Sequence, residues 1–383
     1  MDRLIFDSEH ILFRDTVRHF MLTNVAPHAE RWRRDGMVDR AVYRQAGEAG
    51  LLCLWAQADV GGAGIADLRF DQIIIEENIR HGETGFYIHL HSNLVAPYID
   101  RLGSPTLRAR LMPGIVAGDT ILAIAMTEPG GGSDLRAVQT RAIRDGDGWR
   151  LSGTKTYISN GILSDAIVVV ARCRDLPGEP IGLFLVERDM AGLSRGKPLK
   201  KMGLASQDTA EIMLDDVHVP ADNLLGDPTA GFGTLMRFLG TERLIAAIAS
   251  IAAAQVALDL TLDFVRHRRA FGQAIGQFQH NRFRLAALRA QIDAVQAMVD
   301  QLVLRANAGS LEGGDAASAK LLASEVESQM VDLGVQLHGG AGYMDEYRIS
   351  RLYTDARISR IFAGSNEIML EIIARGMDLD TRS

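Results

Sequence analysis

Cysteine is nearly absent from these 383 residues: only Cys53 and Cys173 occur. Two isolated thiols make neither a CxxC pair nor a disulfide framework, which fits a reducing, cytoplasmic setting. Basic excess is also lacking. The formal net charge is −7, so no electrostatic footprint for nucleic acid is expected. The longest charge-free helical run, 244–258, is short and alanine-rich, and reads as a buried core helix rather than a membrane span. The opening MDRLIFDSEHILF carries acids and no long apolar core, so it does not read as a signal peptide. No GxGxxG follows a strand into a helix, and GxxxxGK[ST] and HExxH do not occur; the one GxSxG match, GLSRG at 192–196, lies in a turn sequence between β-rich runs and is no nucleophile elbow. The ten histidines show no ligand spacing. Rossmann nicotinamide enzymes, P-loop ATPases, hydrolases and metalloenzymes all lose ground, and no metal is expected.

What remains is an ordinary globular composition, 47% hydrophobic and 23% charged, in a chain long enough for two or three domains or layers. Periodicity divides it into three blocks. Residues 1–120 read as helices, with a cap signal at Ser8 and another at Ser104 before Pro105. Residues 121–232 hold short β-rich runs (TILAIAM, GWRLSGTKTYIS, AIVVVARC, IGLFLVE, AEIMLDDVHV) divided by turn sequences. No helix intervenes, so an antiparallel barrel or sandwich is expected. Residues 233–383 return to long helices. A helical body interrupted by one β-module places a pocket where the two meet.

Four stretches stand out. AIAMTEPGGGSDL runs from a strand into a Gly-rich loop, whose backbone can approach a flat ligand, or which is simply a tight turn. KTYISNG follows, then QLHGGAGYMDEY and ARISRIFAGSNEI near the end. Together, in this order and across nearly the whole chain, they resemble the acyl-CoA dehydrogenase family, most closely its long-chain and isovaleryl branches. The resemblance implies an α+β, mostly α fold: an N-terminal helical domain, a middle β-domain and a C-terminal four-helix bundle. It implies FAD, a homotetramer, an acyl-CoA substrate and an electron-transferring flavoprotein as partner. By motif, Met126, Thr127, Tyr157 and Ser159 fall beside the flavin ring, and Ser133 at the acyl-CoA chain. Arg268, Phe271 and Gln279 match positions that reach FAD across a subunit boundary. Gln336, Gly339 and Gly340 match the adenosine and pyrophosphate end, and Ser365 and Glu367 match further FAD contacts. Read alone, Phe271 is equally a core residue and Arg268 a solvated charge.

The family reaction removes an α-proton with a carboxylate and passes the β-hydrogen to flavin as hydride. Many members carry that Glu before the Gly of the terminal motif, where this chain has Ala363. On the preceding long helix, Leu235, Phe238, Leu239, Ile245, Ala246 and Ala249 form an apolar stripe, and Glu242 falls in its middle. Burial there raises a carboxyl's pKa, as a base that holds and releases a proton needs. The alternative is a structural ion pair with Arg243. The GTERL segment resembles the place where the long-chain and isovaleryl branches carry their base, which assigns Glu242 that role. Thr241, Arg243 and Gly364 then fall at the substrate. The backbone N–H of Ala363 still reaches the thioester oxygen, as that N–H does in the family. Three other readings stay on the same fold: dehydrogenation of an acyl group on a carrier protein, a flavin oxidase or monooxygenase, and an FAD-poor partner subunit.

Overall fold

The computed structural model describes residues 3–377; the last residues of the expected C-terminal block lie outside them. Helices α1 (Ser8–Phe20), α2 (Ala29–Asp35), α3 (Ala41–Glu48), α4 (Leu68–His81), α5 (Ala96–Leu102) and α6 (Pro105–Val116) come first. The cap of α1 is Asp7, not Ser8: its carboxylate accepts from the N–H groups of Glu9 and His10. Ser104 caps α6 as expected, accepting from Leu107 N–H, with Pro105 in the first turn. Two π-helical stretches, Met21–Val25 and Leu90–Val95, carry no sequence signal.

The middle block is one seven-stranded sheet: β1 (Leu122–Ala125), β2 (Arg141–Asp145), β3 (Gly148–Ser159), β4 (Ala166–Cys173), β5 (Ile181–Glu187), β6 (Leu193–Arg195) and β7 (Thr209–Val219). It is not wholly antiparallel. β4 is antiparallel to β5 but parallel to both β1 and β2. The β2–β3 hairpin stands between β1 and β4 in sequence, so the chain returns running the same way, and a parallel pair needs such a long crossover. β2 escapes sequence reading because RAIRD is mostly exposed.

The C-terminal block is helical: α7 (Gly231–His267), a small hairpin of β8 (Arg269–Ala270) and β9 (Gln273–Ala274), then α8 (Gln279–Asn307), α9 (Gly313–His338), α10 (Arg348–Ala356) and α11 (Asn366–Gly376). Among the described residues α7 is the one helix long and apolar enough to cross a membrane, but 78% of its apolar window is buried within the protein. A helix apolar on all sides is here the axle of the core. It packs along α9, α8 and α4. Its first turn needs glycine: a Cβ on Gly231 would lie 2.3 Å from the Ile181 carbonyl of β5.

One polar cluster ties the three blocks together. Arg33 on α2 lies 3.2 Å from Glu83 and 3.8 Å from Asp355 of α10. Glu83 also accepts from Ser206 of the β-block, and Asp355 from Thr84. Within the bundle, Glu327 on α9 is buried without an ion pair among the described residues, and burial pushes its carboxyl up to about 8, with Ser359 and Ser250 beside it opposing the shift. A folded-state value above the usual carboxylate range means that this group leaves stability intact at low pH and erodes it as pH climbs through about 8. Glu327→Gln is therefore expected to melt with wild type at pH 5 and a few degrees above it at pH 9. Equal melting-temperature differences at both pH values would contradict the assignment.

Candidate active site

Glu242 sits in the second turn of α7's buried stretch, with Leu235, Leu239, Ile245 and Ala246 buried around it. It is half-buried, accepts no hydrogen bond and joins no ion pair among the described residues. The alternative pair with Arg243 does not form, since successive helical residues point about 100° apart. Desolvation raises the carboxyl to about 7, and the charge of Arg243 only partly opposes this. Arg243 is itself buried, and its Nε finds no partner. Two phenols from the N-terminal block, Tyr87 and Tyr98, lie within the field of Glu242. Tyr98 stacks on Phe238, one turn before the carboxylate, with ring centroids 4.1 Å apart. Thr241, the preceding residue, is exposed.

The turn at 363–365 is held by α9, which packs along this helix. Ala363 has φ +54° and Gly364 φ +90°, two left-handed residues in succession. For alanine this region is strained, and such strain persists only where the surroundings impose it. The N–H of Ala363 meets no acceptor among the described residues. Ser365 precedes α11 without capping it through its side chain. The Glu367 carboxyl, exposed in the first turn, is held below the usual range by its own amide and the Ser365 hydroxyl.

Lys320 on α9, which sequence reading missed, holds this turn. Its ammonium donates to the Gly364 carbonyl at 2.8 Å and to Asn366 Oδ1 at 2.9 Å. It was legible by the argument that found Glu242: a lone charge among Ala316, Ala317, Ala319 and Ala323, all fully buried.

The strand-end residues converge as expected. Thr156 N–H donates to the Thr127 carbonyl at 3.0 Å, and Lys155 Nζ to the Met126 carbonyl at 3.1 Å, so β3 fastens the end of β1. A bulge between Lys155 and Ile158 and a φ of +59° turn Tyr157 outward, leaving it 70% exposed. Ser159 is half-buried two residues on. Neither its hydroxyl nor that of Thr127 has a partner among the described residues. Lys155 was also missed. It is fully buried against Glu128 at 2.8 Å, and Glu128 also accepts from the amides of Gln139 and Thr140. Burial pushes Lys155 down to about 8. Burial works against ionised Glu128 too, but Lys155 and those amides hold its carboxyl below the usual range. Beneath the Gly-rich loop lies a cleft of about 380 Å³ lined by Glu128, Gly130, Gly131 and Thr154; Ser133 is exposed on that loop.

A second group gathers at the other end of the bundle. Arg268 follows α7, 26 residues beyond Glu242, which is about 39 Å at 1.5 Å per residue. Phe271 tips the β8–β9 hairpin at φ +51° and is 95% exposed, so it is not a core residue in this chain. Gln279 is exposed at the start of α8. Gln336 lies on the last turns of α9 rather than in a loop, and Gly339 and Gly340 follow it, exposed. Phe264 stacks on His338 at 4.1 Å, which places these two helix ends side by side. Arg268, Phe271, Gln279, Gln336, Gly339 and Gly340 thus gather towards the end of α7 that lies about 39 Å from Glu242.

The sequence matches acyl-CoA dehydrogenase domains in order: N-terminal over residues 7–119, middle over 123–217 and C-terminal over 229–377. The chain belongs to the acyl-CoA dehydrogenase family. It is 42% identical to the long-chain specific acyl-CoA dehydrogenase of Mus musculus mitochondria, over 99% of this chain and 89% of the relative. An acyl-CoA dehydrogenase from Geobacillus kaustophilus superposes with a TM-score of 0.96 at 41% identity, covering 99% of this chain and 100% of that one. A glutaryl-CoA dehydrogenase from Mycobacterium smegmatis, in complex with FADH2, superposes at 0.90 with 26% identity, covering 97% and 95%.

Because Lys155 is the cation of a buried pair, Lys155→Met leaves Glu128 without it and is expected to cost roughly 3 kcal/mol, read by denaturant unfolding. A loss under about 0.5 kcal/mol, the range of ordinary surface substitutions, would show that the two amides alone satisfy Glu128.

Proposed function

We propose that this member of the family is an FAD-dependent acyl-CoA dehydrogenase in which Glu242 takes the α-proton of a thioester-bound acyl group. The observation that carries the reading is a carboxyl with a value near 7 and no partner among the described residues, on the helix whose Arg243 lies in the field of Lys320, the lysine that holds the turn with the acceptor-free Ala363 N–H. At neutral pH such a carboxyl is divided between its two forms, so it can take a proton and afterwards hold it. The thioester oxygen gains negative charge as the α-proton leaves, and the Ala363 N–H, preset by its left-handed backbone, is placed to meet that charge without reorganisation. Arg243, cationic and buried one residue on, moderates the cost of ionising Glu242. Retention of an α-proton base supports dehydrogenation over a monooxygenase, which has no need of one.

The residues present fit FAD. The free hydroxyls of Thr127 and Ser159, the outward Tyr157 and the Met126 strand end offer uncharged donors and an apolar edge for a flavin ring, and Ser365 and Glu367 flank the same turn. Gly339 and Gly340 stand open at the far end, with no atom within 4 Å of where a Cβ would be. When bound, FAD supplies the acceptor for the β-hydrogen. The roughly 39 Å along α7 between Glu242 and Arg268 supports a self-associated protein, a homotetramer by family resemblance, in which Arg268, Phe271 and Gln279 serve the cofactor of a neighbouring copy. An electron-transferring flavoprotein is the proposed partner.

Three outcomes test this. In the purified yellow protein, a panel of straight and branched acyl-CoAs should include one that bleaches the flavin. Glu242→Gln should retain FAD and lose at least about 10²-fold in the bleaching rate; full activity in that variant would sink the assignment. For wild type, kcat/KM should rise with pH and level off above about 7, because only the ionised carboxyl accepts a proton. Finally, chains carrying Glu242→Gln and chains carrying Arg268→Ala, each inactive alone, should recover activity when unfolded and reassembled together. No recovery from mixed assemblies that contain both chains would contradict shared sites.

A further inference from the structure

Lys320 is 1% exposed, no carboxylate lies within ion-pair distance among the described residues, and Glu367, Glu325 and Glu327 act on it only from further away. Burying an ammonium with no carboxylate in contact is costly, and a methionine would fill the same volume more cheaply. The charge is therefore retained for what it touches. Among the described residues its hydrogen bonds go only to the 364–366 turn: the Gly364 carbonyl at 2.8 Å and Asn366 Oδ1 at 2.9 Å. Asn366 is further fixed by Ser324 Oγ at 3.2 Å and donates to Glu325 at 2.8 Å, and Glu325 lies 3.4 Å from Arg360. On the other side, Phe362 N–H donates to the Ile358 carbonyl at 3.1 Å. The two left-handed residues, Ala363 and Gly364, are thus clamped from both flanks; between the clamps their N–H groups meet no acceptor among the described residues, and that of Ala363 is the one the proposed function uses.

Taking the proposed dehydrogenation as its basis, we infer that Lys320 is a positioning residue for the oxygen-binding N–H. By gripping the Gly364 carbonyl it holds the strained turn so that the Ala363 N–H stays aimed at the thioester oxygen. Lys320 also refers that N–H to the base. It rises from α9, which packs along α7, the helix that carries Glu242, and its ammonium lies within the field of Arg243, the residue next to the base. Burial pushes the ammonium down to about 8, which leaves it a cation at neutral pH. A side chain that acts through the backbone of another residue touches neither substrate nor cofactor. No motif around the reacting atoms points to it.

The test compares wild type, Lys320→Met and Lys320→Gln as FAD-loaded oligomers. The methionine keeps the length and removes every donor, while the glutamine keeps one N–H group for the Gly364 carbonyl. For Lys320→Met, kcat should fall about 10- to 100-fold with KM within about twofold, since the N–H acts on charge that develops only in the transition state. Flavin content should be retained. Deuterium exchange of the 361–366 amides should quicken while that of α7 stays slow. Lys320→Gln should recover part of the loss. Wild-type kcat per bound flavin in Lys320→Met would overturn the inference. So would parallel losses of flavin, melting temperature and kcat in both variants, the mark of a purely structural lysine. Should Lys320→Met not fold, Lys320→Gln decides: reduced kcat at unchanged KM with faster turn exchange supports the role, and wild-type kcat overturns it. Wild-type bleaching by acyl-CoA is the control. Its absence sinks the dehydrogenase reading, whereas its presence alongside an unimpaired Lys320→Met sinks this inference alone.

Discussion

A carboxyl held against apolar side chains with no cation paired to it is costly, and the architecture around Glu242 is arranged to hold one there. A shorter or more solvated helix would let the side chain reach water or an arginine, and its proton affinity would fall to that of an ordinary glutamate. The 37 residues of α7 prevent this. All three blocks grip its first turns: β5 closes on Gly231, Tyr98 of α5 covers Phe238, and α9 runs alongside. The position of the base is thus a property of the whole chain. The Arg33–Glu83–Asp355 cluster, which also takes in Ser206, joins the same three blocks, so it fixes the block geometry that the carboxyl's environment depends on.

In the proposed reaction the chemistry is divided between two elements. The proposed proton acceptor, Glu242, is on α7. The proposed donor to the thioester oxygen, the Ala363 N–H, is on the turn before α11. The division requires a rigid link, because a misplacement of about 1 Å between two catalytic groups can cost 10²-fold in rate. The α7–α9 packing and the grip of Lys320 on the turn form that link. Ala363 serves as space as well as backbone: a second carboxylate there would face Glu242 and push their titrations apart.

Where the signal was local, the sequence disclosed it. The three-block order, the Ser104 cap and the buried stripe through Glu242 were readable from spacing, whereas the placing of Met126, Thr127, Tyr157 and Ser159 together came from the family resemblance. The parallel pairings of β4 were not, because register between strands some forty residues apart is set by the whole sheet. Asp7 displaced Ser8 as a cap because a carboxylate one position earlier takes the same amides. Phe271 read equally well as core, since an exposed aromatic and a buried one look alike in sequence. Lys155 and Lys320 were legible in principle as lone charges on buried faces. They were passed over because a lysine in a helix or strand is usually solvated, and only the fold shows where its ammonium ends.

The most direct test of the divided site is removal of the α-proton on its own. An acyl-CoA with no hydrogen on its β-carbon cannot complete the reaction, but its α-protons can still exchange with D2O at the enzyme. The account predicts rapid exchange by the wild-type protein, rising with pH through about 7, and none above background in Glu242→Gln. Exchange by Glu242→Gln at the wild-type rate would place the base elsewhere and contradict the account.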